Sequence, residues 1–303
     1  MRDFVFDQYG YYYDDADATE FVYQGYDFKL MAHSMSEAEL WQMEEFVSEA
    51  YSHLPFNPHC HLVKSRSGQY GVETEFGSVC LVSALKTEYS LSELLALQNL
   101  GSNYHPKSPY TISNLITLWE EKLNLVEEKC VPYLKIDDFT YPIILKETIF
   151  AIGLCSNAIE YLTDLKNDYG DKISHLTFSH KRLYDFDSFD IFNPFNIVYD
   201  SPVRDLAFLY KEGKIELPVL LQLLENFELG QNEISLLMAR AMFPTATFDI
   251  LEDNFSLKKD IKIPIVKKTK STKHEVGKLV LLHKSLVDKF KIRPINWLLN
   301  YEY

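Results

Sequence analysis

The hydrophobic period changes once along this chain, near residue 90, and that change constrains the fold more than any other feature. Before it, apolar residues come in short β-type runs; after it, they fall on stripes at helical spacing. "EFVYQGYDFKLM" holds two strand-like runs about Gln24-Gly25, a hairpin signal. "HLVKSRSGQYGVETEFGSVCLVSAL" holds three more, broken at Ser65–Gly68 and at Phe76–Ser78. Between these sheet pieces Ser36 and Glu39 fit a capping box, and Leu40, Met43, Val47, Ala50 and Leu54 share one helical face. Residues 1–86 are therefore expected to form a hairpin, one helix and a meander.

A second capping box, Ser90 with Glu93, opens the helical part. Ile112, Leu115, Ile116, Trp119, Leu123 and Val126 form one stripe, and a long apolar helix is expected over about 141–165. Pro202 fits the start of a helix in "SPVRDLAFLYKEG". Helices are expected around 217–228 and 232–242, a loop over Lys258–Lys273, and a closing helix over 275–291. There is no internal repeat and no low-complexity tract.

Composition bounds the rest. At 303 residues and 47% apolar content the chain can bury two cores. No apolar run approaches the ~20 residues that span a bilayer, and "MRDFVFDQYGYYYDD" has no apolar segment of an export signal. These features predict a cytoplasmic protein with no membrane partner. The four cysteines stand far apart with no CxxC, and read as reduced core residues. The net charge of −14 is uneven: residues 257–293 hold 12 Lys or Arg against three acids, a net of +9, while residues 1–256 hold 18 basic against 40 acidic, a net of −22. The basic segment either packs on the acidic body or offers an anionic partner a patch at 258–273, tipped by "KKTKSTK". The acidic remainder argues against nucleic acid as that partner.

A small antiparallel sheet with one helix, joined to a larger helical lobe, is the layout of a bilobal, protein-kinase-like α+β fold. The expected division is a β-rich lobe over 1–86 and a helical lobe over 87–303, the latter holding a catalytic-type loop at 176–205. A cleft between such lobes suits a small molecule or a protein partner.

The second half also carries motifs. In the aminoglycoside-phosphotransferase and choline-kinase branch of the kinase fold, a strand after a long helix ends in His-Gly-Asp, with Asn five residues beyond the Asp. A metal-binding Asp and a Pro-x-x-Asp-Leu-Ala helix start follow. "LTFSHKRL", "IFNPFNIVYD" and "SPVRDLAFLYK" supply this frame. At "SHKRL", "YDSPVRDLA" and "INWLL" the chain resembles the spore-coat kinase-like family of the CotS/YutH type. The resemblance implies a place in the spore coat, or ancestry from it, in a Gram-positive bacterium.

Carried over by position, the resemblance puts His180 at the motif histidine, Lys181 at its glycine, Arg182 at the catalytic aspartate and Asp187 at the asparagine. The metal-binding aspartate falls near Asn193, with Asp190 nearby. In phosphoryl transfer one carboxylate orients the attacking hydroxyl and another holds Mg²⁺ across the phosphates. Arginine stays protonated and cannot take up a proton. The resemblance therefore implies a degraded, pseudokinase-like centre with a structural or binding role. The alternative is an active ATP- and Mg²⁺-dependent small-molecule phosphotransferase in which Asp185, Asp187 or Asp190 substitutes.

In the first lobe, Lys29 is the candidate phosphate lysine and Glu44 its helix partner; the competing reading makes both ordinary surface residues. No glycine precedes Lys29 in "YYYDDADATEFVYQ". His59 and His61 share a strand face and could chelate zinc, against a simple strand edge. The acids of 185–190 could collect a metal, against a solvated loop.

Overall fold

A computed structural model of the chain describes residues 1–75, 77–104, 110–135 and 139–301. Phe76, in the second expected strand break, lies outside them. The chain divides into two compact units: Met1–His105 with Thr177–Tyr199, and Pro106–Leu176 with Asp200–Tyr303. Residues 87–105 and 177–199 thus group with the sheet, whereas the expected division placed both with the helical lobe.

The first unit contains α1 (Arg2–Tyr9), β1 (Glu20–Tyr23), β2 (Tyr26–His33), α2 (Glu37–Ser52), β3 (Cys60–Val63), β4 (Gly71–Thr74), β5 (Gly77–Leu85) and α3 (Leu91–Gly101). Later come β6 (Thr177–His180), α7 (Ser188–Phe192) and β7 (Ile197–Asp200), whose last residue is grouped with the second unit. The sheet is antiparallel, in the order β1-β2-β5-β3, with β4 also on β5. The hairpin turns at Gln24-Gly25, both at positive φ, which glycine adopts without steric cost. Ser36 caps α2, with its capping box formed.

Registration fixes what each sheet face buries. Lys29, Val82 and Leu62 lie in one lateral row, and Leu40 of α2 approaches Gly71 on the same face. On the opposite face Phe28 and Leu81 pack with Val5, Tyr9, Tyr13 and Phe21. Tyr13 stacks on Phe21 at 4.2 Å, and Phe21 on Phe28 at 5.0 Å. The helix α1 was not expected. Its aromatic residues suggest a strand, but Val5 and Tyr9, four apart, both bury against the sheet, and Gly10 ends the turn at φ 86°.

The second unit is helical: α4 (Ile112–Leu125), α5 (Val131–Tyr133), α6 (Tyr141–Tyr169), α8 (Val203–Lys211), α9 (Leu217–Asn226), α10 (Gln231–Met242), α11 (Thr245–Leu257), α12 (Lys262–Phe290) and α13 (Asn296–Leu299). A wide helical turn, Val126–Cys130, joins α4 to α5. The α6 helix packs against α4, α10 and α12, and α10 is buried almost all round.

By length and composition alone α6 is long and apolar enough to cross a membrane; its 18-residue apolar window is one-third buried within the protein. It nevertheless carries a buried carboxylate, Glu147, which accepts from Thr272 Oγ1 of α12 at 2.8 Å. The expected loop over 258–273 is a helix from Lys262 onward. Pro264 sits in its first turn, where the missing N–H had no partner to lose. Ion pairing of Lys268 with Glu275 (2.5 Å) and the bond from Ser271 to Glu275 support a stretch with little apolar periodicity.

Candidate functional site

The loop that the motifs single out belongs to the first unit. All four residues of β6 are buried, and β6 pairs with β7 as a two-stranded ribbon. Several bonds tie the connection between them to the sheet side. Tyr89 N–H donates to the Phe186 carbonyl (2.6 Å), Ser188 Oγ to the Leu85 carbonyl (2.6 Å) and Tyr51 Oη to the Phe192 carbonyl (2.5 Å).

His180 is buried and its Nε2 donates to the Ile191 carbonyl at 2.8 Å, so the ring braces the loop backbone. Lys181 is exposed, and its N–H donates to the Asn196 carbonyl (2.7 Å). Arg182 is held from both sides of its backbone by one side chain. Asn196 Oδ1 accepts from the Arg182 N–H (3.0 Å), and Asn196 Nδ2 donates to the carbonyls of Arg182 and Asp190, each at 2.6 Å. The guanidinium turns back to the Lys181 carbonyl (2.8 Å).

The acids of the loop are engaged in shaping it. Asp187 caps α7, accepting from the Asp190 N–H at 2.8 Å. Asp190 accepts from the Asp185 N–H at 2.5 Å. Burial pushes the Asp190 carboxyl above the usual aspartate range, against the pull of that N–H, and the neighbouring Asp187 adds to the rise. Asn193 is buried, its Oδ1 accepting from the Phe195 N–H at 3.1 Å.

Lys29 and Glu44 are not brought together. Lys29 Nζ pairs with Glu20 Oε1 across the β1–β2 hairpin at 2.5 Å. Glu44 is buried and accepts from the Leu62 N–H (2.8 Å), Ser48 Oγ (3.2 Å) and His61 Nδ1 (2.8 Å). Because β3 is an edge strand, this carboxylate covers an otherwise open backbone donor. His61 thus meets a carboxylate, and His175 meets Glu233 at 3.0 Å in the second unit.

A kinase centre would bring a divalent cation and nucleotide phosphates. The donors described above do not fit that group. Asp187 and Asp190 bond loop N–H groups, and the candidate lysine is paired on a hairpin. Among the described residues no three His, Cys, Asp or Glu side chains converge as a metal site.

Two residues escaped the motif reading. Asn196, the organiser of the loop, lies outside every quoted consensus position. In the second unit Asp200 is buried and binds Arg204 Nη1 (3.0 Å) and Arg240 Nη2 (2.5 Å). Arg204 was visible in "SPVRDLA", four residues on; Arg240, forty residues away, carries no local signal. Burial lowers the Arg240 pKa, opposed by the Asp200 charge.

Among solved structures, an aminoglycoside phosphotransferase from Alicyclobacillus acidocaldarius subsp. acidocaldarius DSM 446 is similar over 92% of this chain and 94% of its own. The identity is 11% and the TM-score 0.49. A comparison with curated proteins returns no match. A family model described as "Spore coat putative kinase YutH" matches residues 3–276. With nine-tenths of its length inside that match, the chain belongs to the YutH family of kinase-like spore-coat proteins.

Proposed function

We propose that this protein keeps the kinase-type loop as a scaffold, no longer performs phosphoryl transfer, and acts as a binding component associated with the spore coat. One observation carries the reading. The second residue past His180 is Arg182, clamped through its backbone by Asn196, while the nearest acids bond loop N–H groups. An arginine cannot accept the proton of a substrate hydroxyl, and Asp190, with its raised pKa, is a poorer cation ligand than an ordinary carboxylate. The family description supplies the spore-coat association.

Thermal unfolding with and without Mg²⁺-ATP tests it. A ligand at 100 times its Kd stabilises by about 2.7 kcal/mol, so a nucleotide-using enzyme would melt several degrees higher. The expected result is an unchanged midpoint at millimolar Mg²⁺-ATP, with no phosphate release. A clear upward shift that Asp190→Asn abolishes would overturn the reading in favour of an active phosphotransferase.

A further inference from the structure

The four most exposed large apolar side chains among the described residues all belong to the helical unit: Phe139 (91%), Ile263 (80%), and Leu257 and Ile149 (60% each). Two of them stand at the starting ends of α6 and α12, and Leu257 stands at the last residue of α11. Phe139 immediately precedes α6, and Ile263 lies in the first turn of α12. The bond from Thr272 to Glu147 joins the two helices, and Tyr161 Oη of α6 donates to the Arg293 carbonyl just beyond α12 (3.0 Å). The helices therefore run parallel, and stepping back along each from the Thr272–Glu147 bond reaches Ile263 and Phe139. Leu257 closes α11, next to Lys258, whose ammonium lies over the rings of Tyr133 (4.4 Å) and Phe255 (5.2 Å).

Exposed cations surround these tips. Lys267 and Lys270 follow Ile263 by four and seven residues, on the same stripe of α12, and Lys258 and Lys262 precede it in sequence. Among the described residues, Asp253 pairs with Lys259 at 2.8 Å and Asp260 accepts from the Lys262 N–H; in sequence, Asp137 and Asp138 also precede Phe139.

We propose that this end of the helical unit docks on an anionic lipid surface. Phe139, Leu257 and Ile263 enter the headgroup–acyl boundary, and the lysines face lipid phosphates. A soluble polyanion would satisfy the lysines and leave the apolar tips in water. A second copy of this acidic chain would satisfy the charge, but a phenyl ring standing this clear of its neighbours would need a matching hole. A fluid interface closes around it from every side. The expectation of no membrane partner rested on the lack of a spanning run; surface docking needs none.

Flotation of the full chain with vesicles of mixed phosphatidylglycerol and phosphatidylcholine tests this, against phosphatidylcholine alone. Binding is expected only to the anionic vesicles, weakening as salt shortens the screening length. It should fall by about tenfold or more in both Phe139→Ser/Ile263→Ser and Lys267→Glu/Lys270→Glu, with unchanged melting temperatures. Absence of binding to anionic vesicles overturns the proposal. Loss in the lysine variant alone also overturns it, leaving simple attraction to polyanions. A dimer that both double variants dissolve, without vesicle binding, would overturn it in favour of a second copy.

Discussion

At the scale of single residues, spacing in sequence does not show which charges meet. Lys29, the candidate phosphate lysine, and Glu44, its candidate partner, each meet another group. The Lys29–Glu20 pair is solvent-exposed on a hairpin, and such pairs contribute little. Lys29→Met should change stability by no more than about 0.5 kcal/mol in urea unfolding. Glu44→Ala removes the acceptor of a buried edge-strand N–H and should cost about 2 kcal/mol. The reverse ranking would mean that Lys29 has a role beyond the hairpin. Glu44 shows why its partner was hidden: His61 is 17 residues away, and only the pairing of β3 with β5 brings it to α2.

At the scale of elements, close approach sets the constraints. The last residue of α3, Gly101, lies against β6: a Cβ there would meet the Phe178 backbone N and ring and Thr177 Oγ1 inside van der Waals distance. Gly101→Ala would gain up to about 1 kcal/mol of helix propensity, yet the clash is with backbone and cannot be relieved by a rotamer. Net destabilisation of about 2 kcal/mol or more is expected, read as a lower urea midpoint; a stabilised variant would refute the packing. In the other unit, His283 of α12 is buried and its Nε2 accepts from the Ile295 N–H at 2.9 Å, tying α12 to the segment that leads into α13. Burial, helped by the Lys284 charge, lowers its pKa from 6.5 to about 4. Above pH 6.5 the ring is neutral in the folded and unfolded chains and adds no pH dependence to stability. As pH falls from 6.5 towards 4, the unfolded chain takes up the proton and the folded chain does not, so stability is lost across that window. Urea midpoints at pH 7.5 and 4.5 should differ more for the native chain than for His283→Asn; equal differences would sink the assignment.

Over the whole molecule, the cysteines report on the integrity of the cores. All four are free and buried. Burial raises every thiol pKa: Cys130 to about 11, Cys80 and Cys155 to about 12, and Cys60 well above its ordinary value. The folded protein should leave Ellman's reagent unreacted at pH 8 and release four equivalents after denaturation. Fast native reaction of even one thiol would mean that its core opens readily. The α+β class was legible because capping boxes, turn residues and hydrophobic periods are local signals, as Ser36–Glu39 and Gln24-Gly25 show. The helix over 262–273 was not, because lysines, serines and threonines dominate there and its support comes from Glu147 and Glu275.

The amino-acid order by itself determined the strands, most helices and the family motifs, since each depends on residues within a few positions of one another. Tertiary structure alone decided which charges meet. Asn196 clamps Arg182 from fourteen residues on, Arg240 reaches Asp200 from forty, and Thr272 of α12 reaches Glu147 of α6 from 125. Hydrogen bonds and ion pairs act over a few ångströms in space, and the chain must fold before separation in sequence becomes proximity.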